Sequence, residues 1–159
     1  MSKGAGNTRT GAAGPAASIT AGAVLEISGL TVSVRGEDGE RPVVSDLSLT
    51  LARGETLCIA GESGSGKSMT ALAIMQLLPQ PAARISSGKI RLGDTDLAVL
   101  DERRLRRIRG DRIAMIFQEP MTSLNPVLSI GRQLVESIEA HTGLSRAEAR
   151  RRAIEALKA

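Results

Sequence analysis

The stretch Gly61-Glu62-Ser63-Gly64-Ser65-Gly66-Lys67-Ser68 constrains this chain more than any other, because it fits the spacing G-x-x-x-x-G-K-[ST]. That spacing functions only between an apolar strand and a helix, and both are predicted here. Thr56 to Ala60 is a nearly unbroken apolar run, the pattern of a strand covered on both faces. Ser68 to Leu78 is apolar on most of its circumference and is followed by Pro79 and Pro81, which predicts a buried helix. The glycines admit positive φ and let the backbone approach a ligand with no Cβ in the way. Successive N–H groups from about Gly64 to Ser68 converge into an anion-binding nest. The free N–H groups and positive dipole end of the following helix face the same anion. Lys67 supplies a mobile full charge for the β- and γ-phosphates of a nucleoside triphosphate. The Ser68 hydroxyl is an oxygen ligand suited to Mg²⁺. With Met69 at its end, the candidate binding set is Gly61, Glu62, Ser63, Gly64, Ser65, Gly66, Lys67, Ser68 and Met69.

The rest of the chain sets that loop in context. Its 159 residues allow one modest domain. Aromatics make up 1%, Phe117 alone, so the core is aliphatic. Residues 1–22 are mostly Gly, Ala, Ser and Thr and are expected to form a disordered tail. From Val24 the pattern is β: Val24 to Ile27, Leu30 to Val34 and Val44 to Leu51 read as short strands of a small antiparallel region. Gly88 to Leu92 and Arg112 to Phe117 read as further strands, the last covered on both faces like Thr56 to Ala60. Asp101 to Arg109, Ser129 to Ala140 and Ser145 to Lys158 read as helices, with Ser145 and Glu148 making a capping box.

Charge and cysteine usage narrow the classes. The net charge of +4 owes much to arginines at 103–112 and 146–152. Arg103, Arg104, Arg106, Arg107 and Arg109 could meet nucleic-acid phosphates, but no recognition motif or interleaved aromatic accompanies them. A solvated face paired with Asp101, Glu102 and Asp111 is the plainer reading, and no nucleic-acid partner is expected. The single Cys58 excludes an intrachain disulfide and reads as a small core residue. No apolar run of about 18 residues is present to span a bilayer.

From Val24 onward the sequence resembles the ATP-binding subunits of ABC transporters, in the branch that imports peptides, nickel and glutathione. The resemblance is carried by Gly61 to Ser68, by the preceding turn Arg53-Gly54-Glu55, and by Ala114-Met115-Ile116-Phe117-Gln118-Glu119-Pro120-Met121-Thr122-Ser123-Leu124-Asn125-Pro126. It implies an α/β fold: a P-loop core sheet, an N-terminal antiparallel β region, and the beginning of a helical subdomain, over residues 23–159. It further implies ATP and Mg²⁺ as ligands, with Lys67 and Gln118 as catalytic residues and Ser68 and Gln118 at the metal. Gln118 stands at the carboxyl end of a predicted strand, where ligands bind in such sheets. The implied activity is ATP hydrolysis that drives import of a peptide or similar solute. The implied partners are transmembrane permease subunits and a second nucleotide-binding domain. The implied location is peripheral, on the cytoplasmic face of the inner membrane.

Two departures qualify the resemblance. Where members of the family carry an aromatic that stacks on adenine, this chain has Val34. The chain also stops at Ala159, before the family's signature sequence, its Walker B carboxylates and its switch histidine. The sole histidine, His141, reads as a solvated helix-end residue. The expectation is therefore an incomplete ABC ATPase domain, for which a non-catalytic nucleotide-binding module is the alternative. A small-molecule kinase on the same loop is a third reading, which the segment Ala114 to Pro126 argues against.

Overall fold

The computed structural model describes residues 22–118 and 124–158. All but Gly22 of the expected tail, and Glu119 to Ser123 of the family-like segment, lie outside the described residues.

Strands β1 (Ala23–Gly36) and β2 (Gly39–Ala52) form an antiparallel hairpin across the turn at Glu37 and Asp38. Ile27, Leu30 and Val32 of β1 are fully buried and supply the centre of the core. The sequence predicts two strands broken at Gly29. The structure runs one strand through it, because a register shift between Ile27 and Leu30 absorbs the irregularity as a bulge. Strand β3 (Ala83–Leu92) pairs with the other edge of β1, and the two-residue β4 (Thr95–Asp96) adds to β3. The order is β2-β1-β3-β4, antiparallel throughout. At Gly88, with φ +95°, a Cβ would stand 2.5 Å from the Leu30 Cα. Only glycine lets β1 and β3 close up there.

Helix α1 (Lys67–Ile74) packs on one face of this sheet, burying Thr70 and Ala73 and adding Met69 and Ile74 to the core. It ends four residues before the predicted Leu78, and the prolines are not what stops it. The Leu77 N–H donates to the Leu72 carbonyl at 2.8 Å and the Gln76 N–H to that of Ala73 at 3.0 Å. That is a Schellman ending, with Gln76 at φ +53° in the left-handed position glycine usually takes. The Arg109 guanidinium then donates to the Met75 and Gln76 carbonyls, each at 2.8 Å. Helix α1 is therefore finished by a side chain from another element.

After a single 3₁₀ turn (Leu97–Val99), helix α2 (Glu102–Ile108) is capped by the Asp101 carboxylate. It buries Leu105 and Ile108 and points Arg103, Arg104, Arg106 and Arg107 to solvent. Glu102 pairs with Arg106 at 3.2 Å and Arg109 at 2.9 Å, as a solvated, self-paired face would. Helices α3 (Ile130–His141) and α4 (Arg146–Ala156) form a hairpin around their own small cluster of Val135, Ala149 and Ala153. The expected cap forms: the Ser145 N–H donates to the Glu148 carboxylate at 2.9 Å. His141 is exposed at the end of α3, and its ring lies against Gly110.

Two predicted strands are absent among the described residues. Thr56 to Ala60 adopts no regular structure, with Leu57 44% and Ile59 47% exposed and Cys58 exposed rather than in a core. Arg112 to Phe117 makes one bridge, Ile113 to Arg109, and leaves Ile116 95% exposed. An apolar run becomes a strand only where neighbours take its N–H and C=O groups, and no described strand pairs with either segment. The chain is α/β in content, but among the described residues its strand pairing is confined to the antiparallel region.

Candidate functional site

The loop is built against the sheet at one residue. Gly66 is buried with φ +89°, and a Cβ on it would stand 2.6 Å from the Val43 carbonyl oxygen and 2.9 Å from the Val44 Cγ2. β2 therefore presses directly on the loop, and helix α1 starts from that contact. The Gly66 carbonyl accepts both the Thr70 N–H (2.8 Å) and the Thr70 hydroxyl (3.0 Å), which fixes the first turn. The first N–H groups of α1 have no partner inside the helix and face out of its N-terminal end.

Lys67 is folded into its own loop. Its ammonium donates to the carbonyls of Gly61 at 2.6 Å and Glu62 at 2.7 Å, and to the Ser65 hydroxyl at 3.2 Å. The Ser65 N–H donates to the Glu62 carbonyl at 3.2 Å, closing the loop from the other side.

A cavity of about 390 Å³ opens over this arrangement. Ser63, Gly64, Ser65, Gly66, Lys67, Ser68 and Met69 line it, and Gln118 lines it from 50 residues further along the chain. Gly61 and Glu62 are not part of the lining; their carbonyls hold Lys67 instead. Val43 also lines the cavity, and the sequence reading did not include it. Its signal was weak: a valine beside a second valine, in a strand whose core face belongs to Val44.

The donor set suits a polyphosphate. It offers one full cation, three hydroxyls, the outward N–H groups of a helix start, and one carboxamide. Oxygens for a hard cation are present in Ser68 and Gln118. Among the described residues no cluster of three His, Cys, Asp or Glu side chains could hold a metal without help from a ligand's own oxygens.

Comparison with known proteins agrees with this geometry. The family described as ABC transporter matches residues 44–159. A Brucella abortus protein, provisionally named a peptide import ATP-binding protein, is 50% identical over 134 residues. That match covers 84% of this chain and 40% of the relative. The glutathione import ATP-binding protein GsiA of Salmonella typhimurium is 49% identical over 131 residues, 79% of this chain and 21% of GsiA. The chain thus spans well under half the length of these curated relatives. Among solved structures, the ATP-binding cassette MJ0796 bound to ADP and phosphate, a dimer, superposes with a TM-score of 0.71 at 27% identity. That superposition covers 84% of this chain and 56% of the cassette. The cassette fold and the long family match agree, and the chain belongs to the ABC transporter family.

Proposed function

We propose that residues Gly61 to Met69 bind ATP with Mg²⁺, and that the chain serves in a longer ATPase that powers import of peptides or similar solutes. The observation that carries this reading is the convergence of Lys67, Ser68 and Gln118 on one cavity from two distant segments. In this reading the loop amides and Lys67 hold the β- and γ-phosphates, while Gly61 and Glu62 position the lysine between binding events. Ser68 and Gln118 would hold Mg²⁺, which when bound neutralises charge on the phosphate oxygens. Lys67 and Gln118 are the catalytic residues proposed. The import role rests on the printed names of the Brucella and Salmonella relatives. Permease subunits and a second nucleotide-binding domain are the proposed partners, and the cytoplasmic face of the inner membrane the proposed location. Among the described residues no helix is long and apolar enough to cross a membrane.

One observation favours a second reading: among the described residues no carboxylate lines the cavity. A module that binds nucleotide without turning it over fits that lining. Isothermal titration with MgATP, paired with phosphate release, tests both. Binding that Lys67→Ala weakens by a few kcal/mol, as loss of a buried phosphate partner should, supports the site. Equal affinities would remove it. Phosphate release by this chain above that of Lys67→Ala would exclude the non-catalytic reading.

A further inference from the structure

We infer that His141 is a positioning residue for the nucleotide loop: it seats the α3–α4 hairpin on the turn at Gly110, and that turn carries the arginine that holds the far end of α1. This rests on the binding site proposed above. The hairpin closes on a core of its own, and that cluster shares no residue with the core of the sheet. The imidazole of His141, at the hairpin's bend, meets the rest of the molecule at Gly110. A Cβ built on Gly110 would overlap His141 Nε2 and stand 2.8 Å from its Cε1. The ring thus fills the space that any side chain on residue 110 would take, and only glycine admits it.

The turn beneath the ring is closely tied. Gly110 has φ +85°, and its N–H donates to the Ile113 carbonyl at 2.8 Å. The Arg112 N–H donates to the Ile108 carbonyl at 2.9 Å. Arg109 stands next to Gly110 in this turn, and its guanidinium grips the Met75 and Gln76 carbonyls at the end of α1. Helix α1 begins with Lys67 and Ser68, both in the lining of the cavity. Its eight residues, at about 1.5 Å each, make a rod roughly 12 Å long. A shift of the hairpin therefore reaches the loop through His141, Gly110, Arg109 and α1, each in contact with the next. His141 is itself exposed, so its removal should barely move the melting temperature, and an effect at the loop would not come from unfolding.

Such coupling is reciprocal: the hairpin tunes nucleotide affinity, and nucleotide steadies the hairpin. Titration of the full 159-residue chain with MgATP, together with amide hydrogen exchange over α3, tests both directions. Thermal melts confirm that each variant is folded. His141→Ala vacates the contact, and Gly110→Asn, which tolerates the left-handed backbone, fills it. Each should weaken MgATP binding about fivefold. The double variant should lose little more than either single, because both break one contact. MgATP should slow exchange in the last turn of α3 in the wild type and not in His141→Ala. Unchanged affinity in a folded His141→Ala, or losses that multiply in the double variant, would overturn the inference. So would MgATP protection of α3 that survives in His141→Ala. A wild type that binds no MgATP in a Lys67-dependent way would instead overturn the phosphate site, and leave His141 nothing to position.

Discussion

The carbonyl oxygen of Val43 occupies the space beside Gly66 into which any Cβ there would have to project, 2.6 Å away. The obstruction is backbone, which cannot swing aside, and the φ of +89° adds its own strain. Gly66→Ala should therefore cost about 1–3 kcal/mol of stability and weaken MgATP binding, since α1 starts at this contact. Gly143→Ala, where a Cβ meets nothing within 4 Å, is the control and should move stability by less than about 0.5 kcal/mol. Urea titration of both variants measures the contrast. Equal midpoints would show that the strand does not brace the loop.

Arg109 joins helix α2 to the far end of helix α1. Its side chain is only 16% exposed, and it bridges the Met75 and Gln76 carbonyls while pairing with Glu102. Arg109→Ala leaves those carbonyls without their donor and should cost about 1–3 kcal/mol. Arg109→Lys should recover little, because one ammonium cannot span the fork of acceptors a guanidinium reaches. Thermal melts of the pair decide it, and full recovery by lysine would reduce the contact to simple charge.

Acid should loosen the molecule at three named carboxylates. The hydrogen bond from Arg84 holds the Glu40 carboxyl below its ordinary 4.5, and that from Arg106 does the same for Glu102. The Ser145 hydroxyl and N–H hold Glu148 below it as well. The folded state binds these protons less tightly than the unfolded chain. The stabilisation is therefore complete above about pH 4.5 and lost as pH falls through the lower folded values. Glu102→Gln should melt below the wild type at about pH 6, and the gap should shrink as pH falls below about 4.5. A gap that persists in acid would mean that the ion pairs are not its source.

The unpaired apolar segments predict self-association. Ile59 and Ile116, 47% and 95% exposed, lie in runs whose backbone groups no described strand takes up. Light scattering should show association that grows with concentration. Replacing both residues, Ile59→Ser with Ile116→Ser, should reduce it. A wild type that stays monodisperse would show those surfaces to be harmless.

Much of the local structure was legible in the residues. The capping box at Ser145 and Glu148, the α2 start at Asp101 and the loop itself follow from short spacings that depend on neighbours in sequence. Glycine misled in one place: Gly29 looked like a strand break, yet a bulge carries β1 through it. The end of α1 was misplaced because a left-handed Gln76, not the prolines, makes the stop, and Arg109, 34 residues beyond the Met75 carbonyl it holds, completes it. No local pattern announces such a partner. Thr56 to Ala60 and Arg112 to Phe117 carry genuine strand composition, but pairing is decided by neighbours, and composition cannot say whether those are in place. At the site, Ser63 to Met69 and Gln118 were named from spacing and resemblance. Val43 was missed because it stands beside Val44, whose side chain faces the core, and because the register slips past it between the Val32–Val44 and Ser33–Pro42 pairs.

The ammonium of Lys67 is already spoken for, by two carbonyls and a hydroxyl of its own loop. Any phosphate that engages it does so by exchange, trading three short contacts for others of the same kind. The heat released on titration then records a difference between two bonded states and will be modest even where the lysine–phosphate contact itself is strong. Entry carries a kinetic toll too, because the lysine must leave its carbonyls before it can reach out. Removing it does two things at once: the ligand loses a charge, and the carbonyls of Gly61 and Glu62 lose the donor that gathers them.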